Sequence, residues 1–183
     1  MNEKVLVAIA EGIEEIEAVC IIDVLRRAGS DVTVASVGVS LQITASRGVV
    51  LVADELIKDC NDQAYDLIVL PGGMPGAENL RDCELLIDML KEQKTSGKYY
   101  AAICASPAVV FAAHGLLDGY RATCYPSFMK ELPDPVDEKV VVDNNCITSQ
   151  GPGTALLFSL KLVEILYSAQ KAKEIAKAML ATI

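Results

Sequence analysis

Lys4-Val5-Leu6-Val7-Ala8-Ile9-Ala10 is a continuous apolar run after its first residue. That is the pattern of a strand covered on both faces in a parallel sheet. It leads through Glu11-Gly12 into a segment from Ile13 to Ala28 with Arg26-Arg27 in its last turn and Gly29 just beyond, the C-terminal chemistry of a helix. Asp31 to Ser36 is the next apolar strand. Strand, helix and strand at this length form a βαβ unit. The alternation continues along the chain and predicts an α/β fold: a doubly wound sandwich with a mostly parallel central sheet and helices on both faces.

Outward from that unit, Val37 to Val52 lacks helical periodicity and reads as a short hairpin or a pair of edge strands, and Asp54 to Cys60 as a short helix. Asp66-Leu67-Ile68-Val69-Leu70 is a third parallel strand, stopped by the loop Pro71-Gly72-Gly73-Met74-Pro75-Gly76-Ala77. Glu84 to Gly97 is a charged amphipathic helix that precedes the strand ending at Cys104. After Cys104 comes an Ala/Val/Phe segment of helical composition that ends near His114-Gly115. Arg121 to Tyr125 and Lys139 to Asp143 read as strands, and Asn145 to Ser149 as another, paired with its predecessor through an Asp143-Asn144-Asn145 turn. Gly151-Pro152-Gly153-Thr154 opens a long apolar helix to Tyr167, and Gln170 to Leu180 is the last helix. No repeat or Pro/Ser-rich linker interrupts the series, so residues 1–183 read as one domain.

The chain is 52% hydrophobic and 22% charged, and its net charge is −9. These values place it among ordered globular proteins, and the acidic balance opposes nucleic-acid binding. No apolar run reaches the length of a membrane span and no signal-peptide pattern opens the chain, which points to a cytoplasmic protein. Six cysteines without a Cys-x-x-Cys pair and a single histidine argue for reduced thiols over a disulfide framework or a zinc site. No metal or cofactor is expected.

Ligands of doubly wound sheets bind at the carboxyl ends of the strands. Three features fall there: Glu11-Gly12, the Pro71–Gly73 loop and Cys104. Cys104 reads as sitting on a tight strand-to-helix turn, flanked by the small residues Ala102, Ala105 and Ser106, whose size resembles the glycines of a nucleophile elbow. A helix N-terminus lowers a thiol pKa from ~8.5 to roughly 3.5–7.5. A reactive thiolate is therefore one reading of Cys104; a buried small hydrophobe is the other. Glu17 falls on an apolar stripe with Ile13, Cys20 and Ile21 on the first helix. A carboxyl held there has its pKa raised by desolvation and can shuttle a proton, whereas Glu14 and Glu15 are first-turn acids favoured by the helix dipole. Gly72 and Gly73 can turn backbone N–H groups toward an oxyanion, or serve only a tight turn. His114, about 15 Å along the helix from Cys104, is a poor base for it. Periodicity gives no reason to single out Tyr125 or Arg47.

Glu11–Val19, Asp23–Gly29, Ser46–Val50, Asp66–Gly73, Ala102–Ala108 and Thr148–Thr154, in this order, closely resemble the DJ-1/ThiJ/PfpI superfamily, most of all its small DJ-1-like members. The resemblance implies a flavodoxin-like sandwich and a homodimer. It implies Cys104 as nucleophile, Glu17 as its protonated carboxyl partner, and Gly73 with Ala105 as backbone donors around the reacting oxygen. Arg47 matches an arginine that in relatives lies near the dimer interface and the cleft. The protease-like branch has a His after the nucleophile where this chain has Ala105, which counts against peptidase activity. Many DJ-1-like chains have a His before the proline found here at Pro126, where this chain has Tyr125. The expected function is a glutathione-independent glyoxalase or deglycase acting on a small dicarbonyl such as methylglyoxal or glyoxal, or on their early glycation adducts. The alternative is an oxidative-stress sensor or redox-regulated chaperone that uses the same cysteine without turnover.

Overall fold

The computed structural model describes residues 2–181. Strand β1 (Lys4–Ile9) is followed by helix α1 (Glu15–Ala28) and strand β2 (Asp31–Ser36). Hairpin β3 (Gln42–Thr44) and β4 (Val50–Val52) comes next, then β5 (Glu55–Leu56) and β6 (Leu67–Leu70). Helices α2 (Gly76–Arg81) and α3 (Glu84–Ser96) precede β7 (Tyr99–Ile103). The antiparallel pair β8 (Val140–Asp143) and β9 (Cys146–Ser149) leads to α4 (Ala155–Leu166) and α5 (Ala169–Ala178).

Seven strands form one sheet in the order β5-β2-β1-β6-β7-β9-β8, parallel except for β8. Val5 to Ile9 and Leu67 to Leu70 are buried at every position, which requires cover on both faces of the sheet. Helices α1, α4 and α5 pack together as one layer, and α3 packs on β6 and β7. This is the expected α/β, flavodoxin-like arrangement. The chain crosses from β1 to β2 on one side and later returns to place β6 on the other. The gap between β1 and β6 is thus the topological switch point, where the carboxyl ends of parallel strands leave a crevice.

Four local expectations are corrected. Helix α1 starts at Glu15, not Ile13, because Ile13 and Glu14 are drawn into the crevice: Glu14 N–H donates to the Gly72 carbonyl at 2.9 Å. Asp54 to Cys60 is no helix but the short strand β5 and a single 3-10 turn, Ile57–Asp59. Arg121 to Tyr125 forms no strand. The edge of the sheet beyond β9 is already taken by β8, so Ala122 makes only a bridge to Pro135, and Thr123 N–H bonds the Thr148 side chain instead. The glycine loop ends sooner than Ala77, since α2 begins at Gly76.

Candidate active site

Strands β1, β6 and β7 are neighbours in the sheet, so the three chain segments that leave their carboxyl ends meet. Leu70 is in register with Ala102, which sets Pro71-Gly72-Gly73 beside Cys104. The approach is so close that a Cβ on Gly72 would stand 2.6 Å from Cys104 Cβ. A Cβ on Gly73, at φ +89, would stand 2.4 Å from the Glu14 backbone nitrogen. Only glycines fit this junction.

Cys104 has φ 65, a left-handed conformation that costs a non-glycine residue free energy and needs a surrounding structure to hold it. Hydrogen bonds on both sides do so: Cys104 N–H donates to the Ser149 carbonyl at 3.0 Å, and Tyr125 N–H donates to the Cys104 carbonyl at 2.8 Å. Ser106 Oγ donates to the Pro71 carbonyl at 2.6 Å and ties the elbow to the glycine loop. The segment that follows is helical but irregular, a π-helical turn over Pro107–Phe111 and a 3-10 turn over Ala112–His114.

Glu17 is completely buried. Its Oε2 accepts the Gly72 N–H at 2.7 Å, so Gly72, expected to point toward an oxyanion, instead holds the carboxyl. The other oxygen, Oε1, is buried without a hydrogen-bond partner, and the group facing the carboxyl is the Cys104 thiol. Burial raises the Glu17 pKa to about 7, against the opposing pull of the Gly72 N–H. The thiol differs from the sequence expectation. Cys104 is only 9% exposed, and burial, then the charge of Glu17, push it up to about 12, while the N–H groups of Gly73 and Ala105 pull the other way. No depressed thiol pKa results, because desolvation and an adjacent carboxylate outweigh the helix N-terminus. Burial also raises Cys60, Cys124 and Cys146. What sets Cys104 apart is its partner. Thiol and carboxyl form a coupled pair whose first proton is lost near neutral pH.

Above this pair lies a cleft of about 310 Å³. Its lining brings Cys104, Ala105 and Gly73 together with Tyr125 and Arg47. Glu17 and Gly72 lie beneath, outside its lining. Tyr125 packs over Gly151, whose added Cβ would stand 3.2 Å from its ring. Arg47 is carried in by the β3–β4 turn, which two buried acids clamp. Glu15 accepts the Arg47 N–H at 2.9 Å and the Ser46 hydroxyl at 3.0 Å, and Glu14 accepts the same hydroxyl at 3.1 Å. Both acids are thus clamps; Glu15 also lies in the first turn of α1, whereas Glu14, expected there, is the extended residue just before the helix. The Arg47 guanidinium has no carboxylate within ion-pair distance among the described residues. His114 sits apart, its Nε2 3.0 Å from the Arg81 carbonyl at the end of α2. Sequence reasoning had no signal for Ser46, whose role depends on a contact spanning more than thirty residues.

A thiol, a buried carboxyl of near-neutral pKa, two backbone donors and a solvent-open cleft equip the site for addition to a carbonyl followed by proton transfer. Residues 3–165 match the DJ-1/PfpI family. DJ-1 homolog B of Arabidopsis thaliana is 52% identical over 97% of the chain, which spans 41% of that protein's length. The glutathione-independent glyoxalase DJR-1.2 of Caenorhabditis elegans is 37% identical, with 92% of this chain and 91% of that protein covered. The structure of oxidized DJ-1 from Toxoplasma gondii superposes with a TM-score of 0.97 at 51% identity, covering 99% of this chain and 100% of that one.

Proposed function

The chain belongs to the DJ-1/PfpI family, and on that premise we propose that it is a glutathione-independent glyoxalase acting on methylglyoxal or glyoxal. The observation that carries the reading is the pairing of the Cys104 thiol with a fully buried Glu17, one of whose oxygens, Oε1, no N–H or O–H group satisfies. A buried carboxyl oxygen without a donor is costly, and it is useful where a proton must move. The 37% identical nematode relative bears the same activity in its name.

Sulfur attacks the aldehyde carbon of methylglyoxal; the C–S bond forms as the carbonyl π bond breaks. The thiol proton passes to Glu17 and on to the new oxygen, which the Gly73 and Ala105 N–H groups stabilise. Glu17 as carboxylate then removes the proton from the hemithioacetal carbon, leaving an enediolate, and returns it to the neighbouring carbon while the hydroxyl proton of the first carbon moves to the second oxygen, which gives the thioester. The aldehyde carbon is thereby oxidised and the ketone carbon reduced, with no external redox partner. Water hydrolyses the thioester, releasing lactate and restoring the thiol. Arg47 attracts the carboxylate that forms. The pKa near 7 suits Glu17 to both halves of the shuttle, since a base poised near working pH gives up and takes protons readily.

A second copy of the chain completes this reading. Ile16 and Val19 are 58% and 47% exposed on the outer face of α1, and Val50 and Val52 are 52% and 67% exposed on the hairpin. Glu15 ties that hairpin to α1. An apolar patch of this kind marks an interaction surface, and the homodimer is its proposed use. Light scattering should return twice the 19.5 kDa chain mass; a monomer would remove this part.

The oxidized Toxoplasma relative favours a second reading, a redox sensor in which peroxide oxidises Cys104 beside Glu17. Two measurements separate the readings. Lactate formation from methylglyoxal without glutathione, abolished by Cys104→Ser, supports the enzyme. No lactate, together with oxidation confined by mass spectrometry to Cys104 under mild peroxide, supports the sensor.

A further inference from the structure

Beside the reactive cleft lies a second chamber that a three-carbon substrate leaves unused. Its volume is about 410 Å³, and it shares two walls with the cleft, the side chains of Met74 and Phe128. Its floor is the helical segment that begins after the nucleophile. Ala105 lines the cleft, while Ala108, Val109, Ala112 and Ala113 line the chamber. These four positions fall on the π-helical turn and the 3-10 turn that follow Ala105, so one continuous segment floors both spaces.

The rim of the chamber is charged. Glu78, Glu131 and Arg81 stand there, and Asp82 answers the Arg81 guanidinium through two bonds of 2.7 and 3.2 Å. Neither Glu78 nor Glu131 has an ion pair among the described residues. The result is a floor of small apolar side chains under charged residues whose sum is negative, since Glu78 and Glu131 stand with a single cation, Arg81, that Asp82 already pairs. Met74, 43% exposed, is the movable part of the dividing wall, since an unbranched thioether adapts to what packs against it.

We propose that this chamber is a binding subsite for an unbranched aliphatic arm ending in a cation, carried by a carbonyl substrate whose reacting carbon sits at Cys104 Sγ. The inference rests on Cys104 being the reacting atom, and it names the substrate class the site prefers. The small floor residues leave room for methylene groups lying along the helix. The two acids meet an ammonium group at the far end and repel a carboxylate there. The addition at sulfur is unchanged.

The test uses two iodoacetamides with equal aliphatic arms, one ending in trimethylammonium and one in sulfonate, and reads the rate of Cys104 alkylation by mass spectrometry. Sulfur displaces iodide in both, so turnover is not needed. The cationic reagent should react about tenfold faster, the ratio expected for two acids near one charge at a protein surface. Glu78→Gln with Glu131→Gln should bring the two rates together. Glu92→Gln with Glu174→Gln, which removes the same charge from distant exposed positions, should keep the ratio. Equal rates for both reagents on the unaltered protein, or equal loss of the ratio in both double variants, would overturn the subsite. Lactate formation from methylglyoxal should be unchanged in Glu78→Gln with Glu131→Gln. Its absence from the unaltered protein would remove the glyoxalase reading, and the alkylation ratio would still decide for or against the chamber.

Discussion

Two buried polar side chains, Asn145 and Glu17, stand near opposite ends of the sheet and are treated in opposite ways. Asn145 precedes β9 at the end where Tyr100 begins to pair with it. Its Nδ2 donates to the carbonyls of Gln93, Lys94 and Lys98, and its Oδ1 accepts the Tyr120 hydroxyl at 3.2 Å. The C-terminal end of α3 is thereby fastened to the sheet. Glu17, at the carboxyl end, has one oxygen bonded and one left over. A satisfied buried group stabilises the fold; a half-satisfied one costs stability. On the proposed function, the difference separates a side chain that holds the structure from one kept available for a proton.

The largest expected effect tests that division at Glu17. Glu17→Gln keeps an oxygen for the Gly72 N–H but cannot take a proton, so lactate formation should fall by roughly 10²–10⁴-fold, the contribution of a positioned proton shuttle. Steady-state kinetics with intact far-UV circular dichroism decide it. Asn145→Ala should do the reverse: a loss of about 2–4 kcal/mol in denaturant unfolding, since several partners are left unsatisfied, with kcat within about twofold. A large kcat loss without a stability loss would dissolve the contrast.

A smaller effect lies in pH. The folded pKa of Glu17 is raised to about 7 from an ordinary 4.5, so the folded state binds more protons than the unfolded one between those values. The favourable contribution is full below about 4.5 and is lost as pH rises through 7. At pH 8, Glu17→Gln should therefore be more stable than the unaltered chain by up to about 3 kcal/mol. The gap should close below about pH 5. Thermal melts at both pH values check the sign. The smallest effect is at Tyr125, 45% exposed on the cleft wall. Tyr125→Phe should raise KM for methylglyoxal by about threefold or less and leave kcat in place.

Much of this architecture was legible because strands buried on both faces stand out as unbroken apolar runs. β1, β2, β6 and β7 fall within two residues of where hydrophobicity places them. Arg121–Tyr125 misled for a related reason: apolar composition reports burial, but Ala122 and Cys124 are buried without a free sheet edge to pair with. Helix α2 was hidden by the proline and glycine at its start; here the Gly76 N–H donates to the Gly12 carbonyl and the Ala77 N–H to the Gly73 carbonyl. At the site, Cys104 and Glu17 could be singled out by position along strand and helix. The direction of the thiol pKa could not, because it depends on a carboxyl 87 positions away and on burial beneath a glycine loop. Nor could the division of labour between Gly72 and Gly73, which share a dipeptide but send their N–H groups to different atoms.

The most direct measurement is the pH dependence of kcat/KM for glutathione-free lactate formation from methylglyoxal, from about pH 5 to 9. Glu17 must be ionised to take the thiol and carbon-bound protons, so the rate should rise with pH through a midpoint near 7. The limb should vanish with the activity in Glu17→Gln. A flat profile in the unaltered protein, or a Glu17→Gln variant that turns over with the same rising limb, would contradict the claim that this buried carboxyl moves the proton.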